Sequence, residues 1–331
     1  MTCTSNRSVR VNRRRFITIA AAVTGVSLLP RVAVASAPQT VTWRGVALGA
    51  PAMLTLQHPN EGEAKYAISA CLAEIARLES IFSLHRLDSA LVRLNTSGRL
   101  DDAPADLRIL SAEALLLAAR SEGAFDPTIQ PLWQFQAQHA GHRLAAVDAE
   151  ELARVRALVG WQYVHIEGTM IRFARLGMAM TLNGIAQGYI TDKVGDILRA
   201  HGFDNVLVDL GEQLAVGPKW DGTAWRVGIR DPEDQGRIMQ TLPLTSGAVA
   251  TSSNYTTGTT AGSRFAHILD PRTGQPAEQW SSVTVVSDRA TLSDGLSTAL
   301  TLLPLDQWPA LMGTAVRAYA KAPGAHEGFW A

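Results

Sequence analysis

The chain has 331 residues, 47% of them apolar, and its 30 basic and 30 acidic side chains cancel. The cancellation is local: all six charged residues before Ser36 are arginines, leaving 24 basic against 30 acidic afterwards, a net −6 that argues against a nucleic-acid partner. Cys3 lies in the arginine-rich segment and Cys71 beyond it, so the main body holds one cysteine and no intrachain disulfide.

Arg13-Arg14 stand ahead of Phe16 and a moderately apolar run, Ile17 to Leu29, followed by small residues at Ala33, Ala35 and Ala37. This reads as a cleaved twin-arginine signal over residues 1–35, which exports a folded protein to the periplasm and leaves 36–331 as the working domain. The apolar run of about 13 residues is short of the ~20 needed to span a bilayer.

In the main body, residues 41–56 alternate loosely and predict one or two strands. Asn60 caps a helix whose Ile68, Leu72, Ile75, Leu78 and Phe82 recur at helical spacing, with Cys71 on its apolar side. A loop and short helix follow over "HRLDSALVRLN", then a helix over 106–122 ended by Gly123. "FDPTIQPLWQF" carries two prolines and predicts a break in regular structure. A short helix is expected over 149–159, strands over 164–166 and 170–173, and a helix over 185–200 stopped at Gly202. Strands are predicted at "NVLVDLG", "AWRVGIR", 238–244, 248–251, 265–269 and 283–287. A helix over 292–303, a helix near 306–311 and a strand near 315–320 close the chain. That length and apolar content suit one large domain or two intimately packed subdomains. Strands that cluster rather than alternate strictly with helices indicate an α+β fold with mixed or antiparallel sheets flanked by helices.

Four polar segments interrupt this scaffold. In "TLNGIAQGYITD" a strand-like run, 179–182, meets a helix start, and Gly184 and Gly188 let a phosphate or simply a neighbouring helix come close. No P-loop or dinucleotide fingerprint occurs there. "VDLGEQLAVG" ends a buried strand with Asp209, Gly211 and Glu212, and "GAVATSSNY" opens into hydroxyls at Thr251, Ser252 and Ser253. In "TLSDGLSTAL", Asp294, Ser297 and Thr298 share one helix face. Those oxygens suit a hard cation such as Mg²⁺, or else a carboxylate near a helix start with hydroxyls bonded back to the helix. No Cys/His cluster supports zinc, and no nucleophile elbow is present.

Together and in order, "FSLHRLDSALVRLN", "GAFDPTIQPLW", "TLNGIAQGYITDKV", "VLVDLGEQLAVG", "VATSSNY", "HILDPRTGQP" and "SDGLSTAL" resemble the ApbE family of FAD:protein FMN transferases. The signal and the wording of "WRGVALGA" look most like its NosX-type branch, associated with nitrous oxide reduction. The resemblance implies a T-fold-related architecture. It implies Mg²⁺-dependent cleavage of FAD at the pyrophosphate, transfer of FMN to a Thr or Ser hydroxyl of a partner protein, and release of AMP. The acceptor it implies is a membrane-bound electron-transfer subunit. Carried over by motif, Asp294 and Thr298 would hold the Mg²⁺, aided by the Gly184 carbonyl and Ser297. Leu48, His85, Asp126, Pro127, Thr128, Thr181, Gln187 and Ile268 map to flavin-nucleotide contacts. His267 is the candidate for handling the acceptor's proton or the phosphate charge. The chain departs from the family in having His85 for a Tyr, Thr181 for an Asp, Gln187 for a Lys, Glu212 for a Gly and "SSNY" for "SGDY". Two other readings stand beside transfer: an FAD pyrophosphatase, in which water replaces the acceptor hydroxyl, and a periplasmic FAD-binding protein without turnover.

Overall fold

The computed structural model describes residues 38–47, 50–139, 149–234, 236–254 and 267–331. Residues 1–37, with the predicted signal, Leu48, Tyr255 and the first part of the predicted 265–269 strand lie outside them. The described residues lie in a single compact unit. Among the described residues no helix is long and apolar enough to cross a membrane.

The framework is an eight-stranded sheet, built of β1 (Gln39–Ala47), β2 (Ala50–His58), β6 (Val206–Asp209), β7 (Gln213–Val216), β10 (Gly247–Ser253), β11 (Ser282–Ser287), β12 (Arg317–Lys321) and β13 (Phe329–Trp330) in that spatial order. Every pairing among the described strands is antiparallel. A three-stranded sheet joins β3 (Arg99–Leu100), β5 (Met170–Phe173) and β4 (Val164–Glu167), and a ribbon pairs β8 (Trp225–Arg230) with β9 (Ile238–Leu244).

Strand alternation divides the core. Val206 and Val208 of β6, Leu214 and Val216 of β7, and Ala248 of β10 face one side. There they pack with helices α1 (Glu61–Phe82), α6 (Ala186–Ala200) and α7 (Ala290–Thr301). Leu207, Ala215 and Val249, one residue out of phase, meet the β8–β9 ribbon on the other face. The remaining helices are α2 (Ala90–Ser97), α3 (Ala105–Arg120), α4 (Gln130–Gln138), α5 (Ala149–Arg156) and α8 (Trp308–Met312).

Where the sequence pattern was strong, the elements follow it. The Asn60 side chain accepts from the Gly62 and Glu63 N–H groups and starts α1, whose buried stripe includes Ile68, Cys71, Ile75, Leu78 and Phe82. Three expectations need correction. Pro127 opens a 3₁₀ turn and Pro131 lies in the first turn of α4, positions where a missing N–H costs nothing, so "FDPTIQPLWQF" is helical instead of broken. Residues 179–182 form no strand, because the Asn95 side chain takes both backbone groups of Met180 and the Thr181 N–H goes to the Pro127 carbonyl. In the described part of 265–269, Leu269 makes a single bridge to Pro276 around a tight turn.

Candidate functional site

The centre of the site is where the N-terminus of α6 meets α7. α7 lies between α6 and strands β10 and β11, so it is buried nearly all round. Its own N-cap residue, Arg289, makes no side-chain cap. Asp192, from α6, does so instead: its carboxylate accepts from the Ala290 N–H at 2.8 Å, the Thr291 N–H at 2.9 Å and the Thr291 hydroxyl at 2.6 Å. This removes the alternative in which Asp294 serves the helix start, since Asp294 sits in the second turn and another carboxylate already fills that role.

Asp294 is 4% exposed, and its Oδ2 accepts the Gly188 N–H at 2.9 Å. A Cβ at Gly188 would collide with the Ala290 carbonyl oxygen and press on the Asp294 Cβ, so glycine permits both the helix crossing and this bond. Burial raises the Asp294 pKa to about 7, with the Gly188 N–H opposing it and the Asp192 charge adding to it. One turn on, Thr298 Oγ1 lies 3.5 Å from the Gly184 carbonyl oxygen, a contact longer than a well-formed hydrogen bond. A Cβ on Gly184 would stand 3.1 Å from the same Thr298 oxygen.

Ala248, Ala250 and Ser252 share the face of β10 toward α7, and Ser252 Oγ is 2.8 Å from Ser297 Oγ and 3.1 Å from Thr298 Oγ1. Ser297 gives its proton to the Asp294 backbone carbonyl at 2.9 Å, so it accepts from Ser252. Ser297 thereby bonds back to its own helix, and because the Ser252 proton goes to Ser297, the Thr298 hydroxyl donates to Ser252 and keeps its oxygen lone pairs free of donors among the described residues.

The turn between β6 and β7 brings Asp209, Gly211 and Glu212 to the same region. Gly211 has φ +105°, and a Cβ there would meet Gln187 Nε2, whose amide lies 3.4 Å from the Leu210 carbonyl oxygen. Glu212 is buried, and burial first, then the Asp294 charge, raise its carboxyl well above the usual range despite a bond from the Thr251 N–H.

The sequence-derived residues separate into groups. Gly184, Asp294, Thr298 and Ser297 come together, and Gln187 sits beside them over the β6–β7 turn. Thr181 is tied to Pro127 by its N–H, 2.8 Å from the Pro127 carbonyl oxygen. Asp126 and Thr128 point inward: Asp126 accepts from the Thr128 N–H and hydroxyl and from the Trp161 N–H, while Thr128 accepts from the Gly160 N–H. Burial raises the Asp126 pKa against those three bonds. His85 is exposed in the loop after α1, and no bond joins it to the cluster. Ile268 is buried in the main core. His267 keeps one side open to solvent, yet the protein around it is dense enough that burial lowers its pKa. Its turn is held by Asp270, which accepts from the Arg272 backbone and guanidinium. Arg272 in turn donates to the Leu302 carbonyl just past α7, at 3.0 Å. Leu48 lies outside the described residues.

Two residues escaped the sequence reading as positioning groups: Asn95, which clamps the strand of chain before Gly184, and Asp192. Both sat inside quoted motifs, but their partners lie 85 and 98 or more residues away, so no local pattern announces them.

A divalent cation fits the donor set. Asp294 has one hydrogen bond and no cationic partner among the described residues, Glu212 Oε2 has no partner, and the surrounding donors are hydroxyl and carbonyl oxygens. Among the described residues no group of three or more His, Cys, Asp or Glu side chains is arranged to hold a metal, which leaves an oxygen site of mixed type.

Comparison with known proteins gives the chain its family and fold relatives. Residues 48–320 match the ApbE family. The FAD:protein FMN transferase of Treponema pallidum is 32% identical over 273 residues, covering 74% of this chain and 74% of that protein. The one from Vibrio cholerae is 33% identical over 230 residues, 67% of this chain and 68% of its own. The crystal structure of apo Pseudomonas stutzeri flavinyl transferase ApbE superposes with a TM-score of 0.75 at 29% identity, over 89% of this chain and 94% of that one. The ApbE protein of Thermotoga maritima gives 0.75 at 26% identity, over 85% and 94%.

Proposed function

The chain belongs to the ApbE family, and from that premise we propose that it is an FAD:protein FMN transferase that splits FAD at its pyrophosphate. An acceptor Thr or Ser hydroxyl oxygen attacks the FMN phosphorus, and the bond from that phosphorus to the AMP oxygen breaks. The hydroxyl proton passes to a base, and AMP leaves with the displaced negative charge. Such a displacement needs alignment and charge neutralisation more than covalent help from the protein.

The observation that carries this reading is the junction of α6 and α7, where Asp294, Thr298 and the Gly184 carbonyl converge with no cationic side chain bonded to them among the described residues. In our reading these three groups hold Mg²⁺, which when bound would neutralise pyrophosphate charge. Ser252 and Ser297 hold the Thr298 hydroxyl in place from behind. Gln187 and Thr181 border the nucleotide. The inward braces at Asp126 and Thr128 shape the wall that Thr181 leans on through the Pro127 carbonyl. His267, with its pKa lowered by burial, is neutral at pH 7 and so free to accept the acceptor's proton at an imidazole nitrogen. Its turn is tethered to the end of the helix that carries Asp294.

We read residues 1–35 as a twin-arginine signal that delivers the enzyme to the periplasm. The acceptor is then a membrane-bound electron-transfer subunit, and the NosX-like wording suggests one serving nitrous oxide reduction. The test is incubation of residues 36–331 with FAD, Mg²⁺ and a candidate acceptor domain, followed by intact mass and flavin fluorescence. A gain of one FMN unit on the acceptor is the expected result. Free FMN and AMP with an unlabelled acceptor would make the protein a pyrophosphatase, and FAD that binds but stays intact would make it a carrier.

A further inference from the structure

Glu212 is placed with unusual care for a residue type that prefers water. The β6–β7 turn closes on it through the Leu210 N–H, which donates to the Glu212 carbonyl at 3.1 Å, and the left-handed Gly211 beside it turns the chain inward. The residue is 7% exposed. The Thr251 N–H bonds its carboxylate, and Oε2 is buried with no hydrogen-bond partner among the described residues. Thr251 precedes Ser252, whose hydroxyl touches Ser297 and Thr298.

The electrostatics are one-sided. Among the described residues, the charges acting on Glu212 are those of Asp294 and Asp209, and the charge acting on Asp294 is that of Asp192; all are negative. A buried carboxylate with open lone pairs beside a second carboxylate is costly unless a cation meets it. Hard cations take six or more oxygens, and charge count sets much of their affinity. Asp294, Thr298 and the Gly184 carbonyl supply three donors and one formal charge.

We propose that Glu212 is a further ligand of this site, contributing its free Oε2 to the divalent cation held by Asp294 and Thr298. The inference rests on the cation site described under the proposed function. It adds a second carboxylate, delivered by the β6–β7 turn.

The test is Mn²⁺ titration of residues 36–331, free of FAD, by calorimetry and by metal-induced change in melting temperature. Wild type, E212Q, E212A and D294N are compared, with circular dichroism to confirm folding. FMN transfer with Mg²⁺ or with chelator is measured separately on wild type. The proposal expects E212Q and E212A to bind Mn²⁺ roughly 10- to 100-fold more weakly than wild type, the scale of lost metal-site partners. Their metal-induced stabilisation should shrink in parallel. E212Q and E212A binding Mn²⁺ as tightly as wild type, while D294N loses it, would overturn the role of Glu212 and leave the cation site standing. Wild type that binds no Mn²⁺ overturns the proposal as well. Wild type that transfers FMN equally well in chelator overturns the cation reading itself.

Discussion

Two pairs of buried or half-buried carboxylates in this protein are treated by the fold in opposite ways. Asp231, just past β8, and Glu233 share Lys321 of β12 at 3.3 and 2.8 Å, and that lysine is 1% exposed. Asp231 is 3% exposed, and burial, the largest single influence, works against its charge, but the Glu233 N–H and Lys321 together outweigh it and hold its pKa below the usual value. Glu233 is lowered first by Lys321, then by the Gly324 N–H. Asp294 and Glu212 have no such cation among the described residues and are both pushed up. A pair that carries its own counter-charge is finished as part of the scaffold. A pair left without one is a place for something positive to bind, and here it lies at the junction of two helices with hydroxyl and carbonyl oxygens around it.

This contrast can be broken first through activity. Asp294→Ala should lower FMN transfer by at least about a thousandfold, on the order of 4 kcal/mol of transition-state stabilisation. Lys321→Met should leave transfer at saturating FAD within about threefold, because it changes only the finished pair. Steady-state labelling rates decide it, and comparable losses in both variants would erase the distinction.

Stability should show the opposite ranking. In metal-free protein Lys321→Met strands a covered carboxylate. It should cost on the order of 2–3 kcal/mol in urea unfolding, less than a deep pair because Glu233 is half exposed to water. Asp294→Asn should cost nothing or stabilise the same metal-free protein.

The pH dependence follows with its sign. Asp294 has a native pKa of about 7 against an ordinary 3.8, so between those values the native state holds more protons than the unfolded one. Metal-free stability therefore falls as pH rises from about 4 to 7, by up to about 4 kcal/mol. Glu212 acts in the same direction. Unfolding free energies of the metal-free protein across that range should decline in wild type, and the decline should be shallower in Asp294→Asn. The lowered Asp231 and Glu233 work the other way, losing their contribution only as pH falls through their depressed values. The smallest effect expected is that of His85→Tyr, which leaves the cluster untouched and should change the transfer rate by no more than about tenfold.

The two regions also differ in how much of them the sequence discloses. Asp294, Ser297 and Thr298 on one helix face were legible because helical spacing alone places them together. The Asn60 cap and the apolar stripe of α1 were legible for the same local reason. The cap of α7 by Asp192, the grip of Asn95 on Met180 and the irregular run before Gly184 depend on contacts across some 85 residues or more, and no local pattern encodes them. β7 was hidden because "EQLAV" is short, begins with polar residues and is recognisable as a strand only once β6 and β10 flank it. Glu212 was visible only as a strand-end carboxylate and as a departure from the family's Gly, because local sequence does not say whether such a side chain turns inward. Its burial is visible only in three dimensions.

The most direct test of the account is FMN labelling of an acceptor domain by wild-type protein stripped of metal, followed by intact mass with and without added Mg²⁺. The account predicts an unlabelled acceptor in chelator and an acceptor carrying one FMN unit once Mg²⁺ is restored. Full labelling in chelator would contradict it, because the bare Asp294–Glu212 pair would then have no cation to explain it.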